Sequence, residues 1–437
     1  MPYRNIRLNP ILRLIYLLLR FTAWAGLNVY YRRRLVLGRP NLRFDGPAIV
    51  ISNHPSTLTD VLNVGLSIRQ EMFFLANYSL FRNPVSNWLL TRLYCIPVKR
   101  KEDVADGEDR NNDAAFEQSY LHLEQYGVLY IAAEGVSWMN RFIRPLKTGT
   151  ARIAFGMEAR NGWKSEMKII PVGLTYNRPN FFRSEVVVNA GEPVYARDWA
   201  EAWAKDPETA VDILTQHLEN QLKGLTIHTR DDAGEQFITR LETMLQQERP
   251  LPQEQAFYRS QQLTAKFLDD AVLRERTNAY FDQLAQHGLS EQGLAAFTAP
   301  DAGPKTLSDG LRLALGLPFF MVGYGFWFLP CYLPGLVAKK LKLYIGYDSN
   351  VKILVGLFTF PPMLWGAWRL AMHYLADGWQ ALGVVLLFIA LGFYAERYLD
   401  VLRRVRERQK VAVLARKQAD MVKELEKMRR ECVRLLA

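Results

Sequence analysis

The segment Ser52-Asn53-His54-Pro55-Ser56-Thr57-Leu58-Thr59-Asp60 places a histidine and a carboxylate in one stretch, with five residues between them. A neutral imidazole near pH 7 can take the proton of a substrate hydroxyl, and a carboxylate on its other ring nitrogen fixes the tautomer that does so. His54 and Asp60 are therefore candidates for a catalytic base and its partner. A plainer reading stands beside this one. Pro55 ends an extended segment, Ser56 or Thr57 can cap a following helix, and Asp60 lies three residues after Thr57, the spacing of a capping box. Read alone, the residues fit both. Further along, Glu134-Gly135 supplies a second carboxylate followed at once by glycine, and Lys99-Arg100, Arg144 and Lys147 supply cations.

These groups act together only if the chain brings them to one place. Ala48-Ile49-Val50-Ile51-Ser52 reads as a buried strand ending at Asn53, and Val128 to Ala133 reads as a second ending at Glu134. Met167 to Tyr176 and Val186 to Ala190 read as two more, and helical stretches lie between at Ala114 to Gln125 and Thr150 to Ala159. Strands alternating with helices predict an α/β domain with a mixed, largely parallel sheet flanked by helices. Ligands of such sheets bind beyond the carboxyl ends of the strands. Asn53-His54 and Glu134-Gly135 both follow strands directly, so both are expected at that rim.

Four blocks in this stretch, taken in order, resemble the glycerolipid acyltransferase family. The first is Asn53-His54 with Ser56 and Asp60. The usual family spacing has four residues between histidine and aspartate. The five found here look like the fungal-type glycerol-3-phosphate acyltransferases and their bacterial relatives. The second block, Tyr94-Cys95-Ile96-Pro97-Val98-Lys99-Arg100, is similar to the family's apolar run ending in arginine. It implies that Arg100, with Lys99 beside it, contacts the acceptor phosphate. The third, Ala133-Glu134-Gly135-Val136-Ser137, matches the family's Glu-Gly but lacks its proline and arginine. Arg144 and Lys147, in the run Arg144-Pro145-Leu146-Lys147-Thr148-Gly149, could replace that arginine as phosphate ligands. Thr148 and Gly149 at the following helix start offer backbone N–H groups to the same phosphate. The fourth, Ile170-Pro171-Val172-Gly173-Leu174-Thr175-Tyr176, is similar to the family's Pro-Val strand, which implies that Pro171 lines the acyl site.

The resemblance covers residues 47–194. It implies direct acyl transfer with His54 as base, no cofactor, and acyl-CoA or acyl-carrier protein as co-substrate. No Gly-x-Ser-x-Gly elbow is present to support a serine-hydrolase route, and the six histidines are scattered, without metal-ligand spacing.

The rest of the 437 residues points to a lipid surface. A formal charge of +11 attracts polyanions, no nucleic-acid motif accompanies it, and the basic residues flank apolar runs. Membrane lipids are the expected partner and nucleic acid is not. Cys95, Cys331 and Cys432 lie far apart, which suits a reducing compartment. Within residues 1–41, Leu12, Ile15, Leu19 and Leu27 share a helix face, with Tyr30, Tyr31 and Arg32 to Arg34 at its end. This predicts an interfacial or membrane helix whose arginines meet lipid phosphates. The catalytic domain is expected over 42–196. A helical region without chemistry, scaffolding or dimerising, follows over 197–309, then a hydrophobic membrane region over 310–399. A charged helix over 400–437 has apolar positions at Val411, Leu414, Met421, Leu425 and Met428, suited to a short coiled coil or a membrane-surface helix.

Leu313 to Val337, Ile353 to Trp368 and Trp379 to Ala395 are free of charge. Lysines between the first two runs and arginines after the third put both flanks in the cytoplasm by the positive-inside rule, so the second and third runs form a hairpin. A single crossing by the first run would then place the catalytic domain outside, away from cytosolic acyl donors. Pro318, Pro330 and Pro334 interrupt that run, and a re-entrant or in-plane segment removes the conflict. The expectation is an integral membrane acyltransferase facing the cytoplasm. Its alternatives are a relative that acylates another lysophospholipid or an aminolipid, and an inactive membrane scaffold.

Overall fold

The computed structural model describes residues 10–92, 94–99, 111–375 and 377–436. The chain forms two compact units, one of Met1–His228 with Leu343–Ile353 and the other of Thr229–Lys342 with Leu354–Ala437.

The first unit runs α1 (Pro10–Tyr30), β1 (Tyr31–Leu37), β2 (Ala48–Ser52), α2 (Leu58–Ser67), β3 (Met72–Asn77), α3 (Pro84–Arg92), β4 (Cys95–Val98), α4 (Asp113–Glu124), β5 (Val128–Ala132), α5 (Gly149–Arg160), β6 (Lys168–Tyr176), β7 (Ser184–Ala190), α6 (Ala200–Lys205) and α7 (Pro207–Leu225). The strands make one seven-stranded sheet in the order β1-β7-β6-β2-β5-β3-β4, parallel throughout except for the β6–β7 pair. The pleat sends alternate residues to opposite faces. Ile49, Ile51, Leu129 and Ile131 meet helices α4, α5 and α7 through Leu123, Phe155 and Leu214. Val50, Val128, Tyr130 and Ile170 meet Leu27 of α1 and Val64 of α2 on the other face. A sheet covered on both faces explains why β2 and β5 read as unbroken apolar runs.

Strands β1 and β3 escape sequence reading. β1 contains Arg32 to Arg34 and was expected to be the end of the first helix, yet it pairs with β7 from Tyr31 to Leu37. An edge strand tolerates charge because only one of its sides is paired. Arg34 does not face lipid: its guanidinium reaches Asn63 Oδ1 at 2.7 Å in α2. The catalytic unit therefore includes β1 on one side of the expected 42–196 range. On the other it includes α7, whose Val211, Leu214, Leu218 and Leu222 are buried in its core. Residues 343–353 join it from far along the chain.

The second unit contains α8 (Asp232–Glu248), α9 (Gln253–Phe267), α10 (Ala271–Gln286), α11 (Glu291–Thr298), α12 (Ala302–Leu341), most of α13 (Asp348–Leu375), α14 (Gly378–Lys417) and α15 (Ala419–Leu435). Three helices, Lys305–Leu341, Ile345–Leu375 and Gly378–Lys417, are long and apolar enough to cross a membrane. Large side chains such as Phe319, Phe358, Trp365 and Leu386 are exposed on them, which suits lipid as the surrounding medium. α12 continues through all three of its prolines. It runs antiparallel to α14: Tyr398 Oη donates to Leu313 O at 3.0 Å and Trp327 Nε1 to Phe388 O at 2.7 Å.

The charged tail is not an independent coiled coil. Val411 and Leu425 are buried with Met244, Tyr280 and Leu294, and Leu414, Met421 and Met428 pack around them. The apolar stripe is real, and its partners are α8, α10 and α11 of the same unit. Arg429 seals this core through Glu291 at 2.7 Å and Glu248 at 3.0 Å.

Candidate active site

β2 and β5 are neighbours, with Ser52 opposite Ala132, so the residues after them leave the sheet side by side at its carboxyl rim. Asn53 fixes the first of these exits. Its amide donates to Leu174 O at 2.8 Å and accepts from Leu174 N at 2.7 Å, which extends the β2–β6 pairing by one side chain. His54 then turns away from the sheet. Pro55 and Thr57 reverse the chain within a few residues, and Thr57 does so at φ 48, a rare conformation for a β-branched residue. α2 begins at Leu58, which brings Asp60 back beneath His54.

The result joins the two readings that the residues left open. Asp60 is fully buried, and its Oδ2 lies 3.0 Å from His54 Nδ1. The contact has the distance of a charge pair without the alignment of a hydrogen bond. The same oxygen accepts from Ser56 N at 2.6 Å. Asp60 therefore serves the helix start and faces the imidazole at once. It does not make the capping-box bond to the N-cap residue, because Thr57 N donates to Ser137 Oγ at 3.3 Å. A carboxylate beside Nδ1 favours the tautomer that carries its proton there and leaves the lone pair on Nε2.

The other Asp60 oxygen is occupied as well. Tyr176 Oη donates to Oδ1 at 2.6 Å, and Asn63 Nδ2 donates to Tyr176 Oη at 3.2 Å. Burial, with Asp60's charge beside it, holds the Tyr176 hydroxyl protonated well above its ordinary range. Asn63 in turn accepts from Arg34. A buried polar chain thus runs from Arg34 through Asn63 and Tyr176 to Asp60 and His54. Sequence reading missed its first three members. Tyr176 closes the fourth block, but its contact with Asp60 spans 116 positions and no local pattern announces it.

Glu134 is brought to His54. Its Oε1 accepts from His54 N at 3.1 Å and its Oε2 from Arg144 N at 3.1 Å. Burial raises its carboxyl, and the two N–H bonds oppose that shift. It clamps the histidine loop to the basic loop. Gly135 follows at φ +74, and a Cβ there would meet Lys147 Cγ at 3.1 Å, so a side chain would be strained and crowded. Lys147 N donates to Ala133 O at 2.9 Å. Arg144 lies over the Trp138 ring at 4.0 Å, with Nε buried and unpartnered. Beyond it α5 begins at Gly149 without a side-chain cap, so its first N–H groups point to the same rim.

Two expected residues stand apart. Pro171 is buried inside β6 opposite Ile51, one position short of the rim, and belongs to the sheet core. Lys99 follows β4, three strands from β2, or about 14 Å across the sheet at ordinary strand spacing. Its Nζ lies over the Tyr78 ring at 5.7 Å. Arg100 lies outside the described residues.

Residues 33–175 match the family model described as Acyltransferase. Within the chain, 125 residues are 30% identical to the glycerol-3-phosphate O-acyltransferase 2 of Saccharomyces cerevisiae, covering 28% of this chain and 17% of that protein. A stretch of 115 residues is 30% identical to glycerol-3-phosphate O-acyltransferase 1 of the same yeast, covering 26% of this chain and 15% of that protein. The chain thus spans about a sixth of the length of these relatives. Among solved structures it is similar to the 1-acyl-sn-glycerophosphate (LPA) acyltransferase PlsC from Thermotoga maritima, at 18% identity and a TM-score of 0.33, over 48% of this chain and 79% of that one.

Proposed function

We propose, from the match of residues 33–175 to the acyltransferase family model and from the ordered blocks, that this chain transfers a fatty acyl group from a thioester to a hydroxyl of glycerol 3-phosphate or its 1-acyl form. The observation that carries the reading is the contact of His54 Nδ1 with buried Asp60 at the sheet's carboxyl rim. The yeast relatives favour glycerol 3-phosphate as acceptor, and they are of the type that the five-residue spacing resembles.

On this reading His54 Nε2 takes the proton of the acceptor hydroxyl as its oxygen bonds to the thioester carbonyl carbon. The tetrahedral intermediate collapses with cleavage of the carbon–sulfur bond, and the imidazolium returns the proton to the leaving thiolate. Asp60 stabilises the imidazolium between the two steps. Arg144, Lys147 and the uncapped start of α5 supply positive ends for the acceptor phosphate. Arg100 is assigned the same role from sequence, and Lys99, three strands from β2, is left out of it. The acyl donor is acyl-CoA or acyl-carrier protein, with no further cofactor. Lys339, Lys340, Lys342 and Lys352 favour a cytoplasmic face.

The test is purified protein given labelled acyl-CoA with either acceptor. Turnover with one of them is expected, and His54→Ala should reduce it by about 10²- to 10⁴-fold or more. Full activity in that variant would remove the reading.

A further inference from the structure

The loop that presents His54 is held by a segment almost 300 positions away in sequence. Residues 343–353, which comprise the connector after α12 and the first turns of α13, belong to the catalytic unit. Asn350 Oδ1 accepts from Thr59 N at 3.0 Å, and Asn350 Nδ2 donates to Thr57 Oγ1. Thr57 Oγ1 donates to Gly346 O at 3.1 Å, and Ser349 Oγ meets Ser56 Oγ at 2.9 Å. Thr57 makes no side-chain cap for α2, so Asn350 supplies from outside the oxygen that an N-cap residue ordinarily gives.

Two features show that this contact is built in. Thr57 keeps a backbone conformation that is costly for a β-branched residue, and such conformations persist only where the surroundings determine them. Gly346 packs closely against the loop: a Cβ there would lie 3.5 Å from Thr57 Cγ2, and 2.6 Å from the Tyr344 ring, which would have to shift. The segment is also tied down elsewhere: Lys352 Nζ donates to Asn180 O at 2.6 Å in the turn between β6 and β7.

Resting on the acyltransfer reading, we propose that Asn350 is a positioning residue for catalysis, acting through Thr57 and Thr59 to hold Asp60 beneath His54. The first turn of the second apolar helix thereby sets the geometry of the base. Unpinned, the turn at Thr57 is free to relax, and the first turn of α2, which includes Asp60, moves with it.

The test compares Asn350→Ala with Asn350→Asp in the full-length protein, with acyl-CoA and glycerol phosphate as substrates. Asn350→Ala should lower kcat by about twofold to thirtyfold, the range that a lost helix cap represents, with both KM values unchanged. Asn350→Asp keeps the acceptor for Thr59 N and should recover most of that loss. Ser349→Ala, which removes the contact to Ser56, should lower kcat by a smaller factor in the same direction. Wild-type kcat in Asn350→Ala overturns the proposal. So does a loss that Asn350→Asp fails to recover while the melting temperature is unchanged. Should Asn350→Ala not fold, Ser349→Ala decides, and a wild-type kcat in it would overturn the proposal. His54→Ala run in parallel separates the two claims: if it is inactive while the Asn350 and Ser349 variants are normal, acyl transfer stands and only the positioning role falls.

Discussion

Tyr176 donates its hydroxyl to Asp60 Oδ1 at 2.6 Å, on the oxygen that does not face His54. The carboxylate is thus fixed from both sides, by the phenol on one oxygen and by Ser56 N and the imidazole on the other. A hydrogen bond to a buried charged group is worth about 1.5–3 kcal/mol. Tyr176→Phe should therefore lower kcat about tenfold to a hundredfold with little change in KM, and steady-state kinetics checks it. An unchanged kcat would show that Asp60 holds its orientation without the phenol.

Asp60→Asn keeps the size of the side chain and loses its charge. Its amide oxygen can still face Ser56 N and His54, but it carries no charge, and its NH2 takes the place of the oxygen that accepts from Tyr176, so the imidazolium loses its stabilising partner. We expect kcat to fall by about 10²- to 10⁴-fold. Because the two residues act as a unit, adding His54→Ala should cost little more. Fully additive losses in the double variant would contradict that coupling.

Glu134 binds its proton more tightly in the fold than in the unfolded chain, because burial raises its carboxyl. Its share of stability is present below the ordinary glutamate pKa and is lost as pH rises through the raised value. Glu134→Gln cannot ionise, so its stability should decline less than that of the wild type over this window. Denaturation midpoints at pH 4 to 8 read the difference. The same variant should lose turnover, since one amide end would face an N–H where the carboxylate accepted two.

Arg144→Ala and Lys147→Ala should each raise KM for the phosphorylated acceptor by about tenfold or more, the worth of one charge-assisted hydrogen bond, and leave KM for acyl-CoA in place. Arg100→Ala is expected to do the same. Equal effects on both KM values would move these residues away from the phosphate.

Segment 343–353 hydrogen-bonds to the His54 loop, so chain from before α12 and after it meets in one folded unit. A single crossing by α12 would put the two on opposite faces of the bilayer. Among the described residues, no helix of 229–301 is long and apolar enough to cross and restore the parity. Cysteines placed near Lys305 and Lys342 should therefore label from the same side. Labelling from opposite sides would sink this topology.

The amino-acid sequence determines the local parts of this protein. Unbroken apolar runs make β2 and β5 central strands, and the residues directly after them, His54 and Glu134, have to emerge at the sheet's rim. Charge-free stretches announce the apolar helices, since a bilayer requires length and hydrophobicity and both are countable. Pairings across long separations are decided only in three dimensions. β1 hides behind three arginines because an edge strand needs one good side, and its partner β7 is some 150 positions away. The prolines of α12 read as breaks, yet the helix continues, since an apolar helix packed along α14 can tolerate the lost bonds. Above all, whether Asp60 served the helix start or the histidine could not be read from spacing that suits both. Tertiary structure gives it both roles, because Tyr176 and Asn350, from two distant segments, hold the turn that lets one carboxylate reach each.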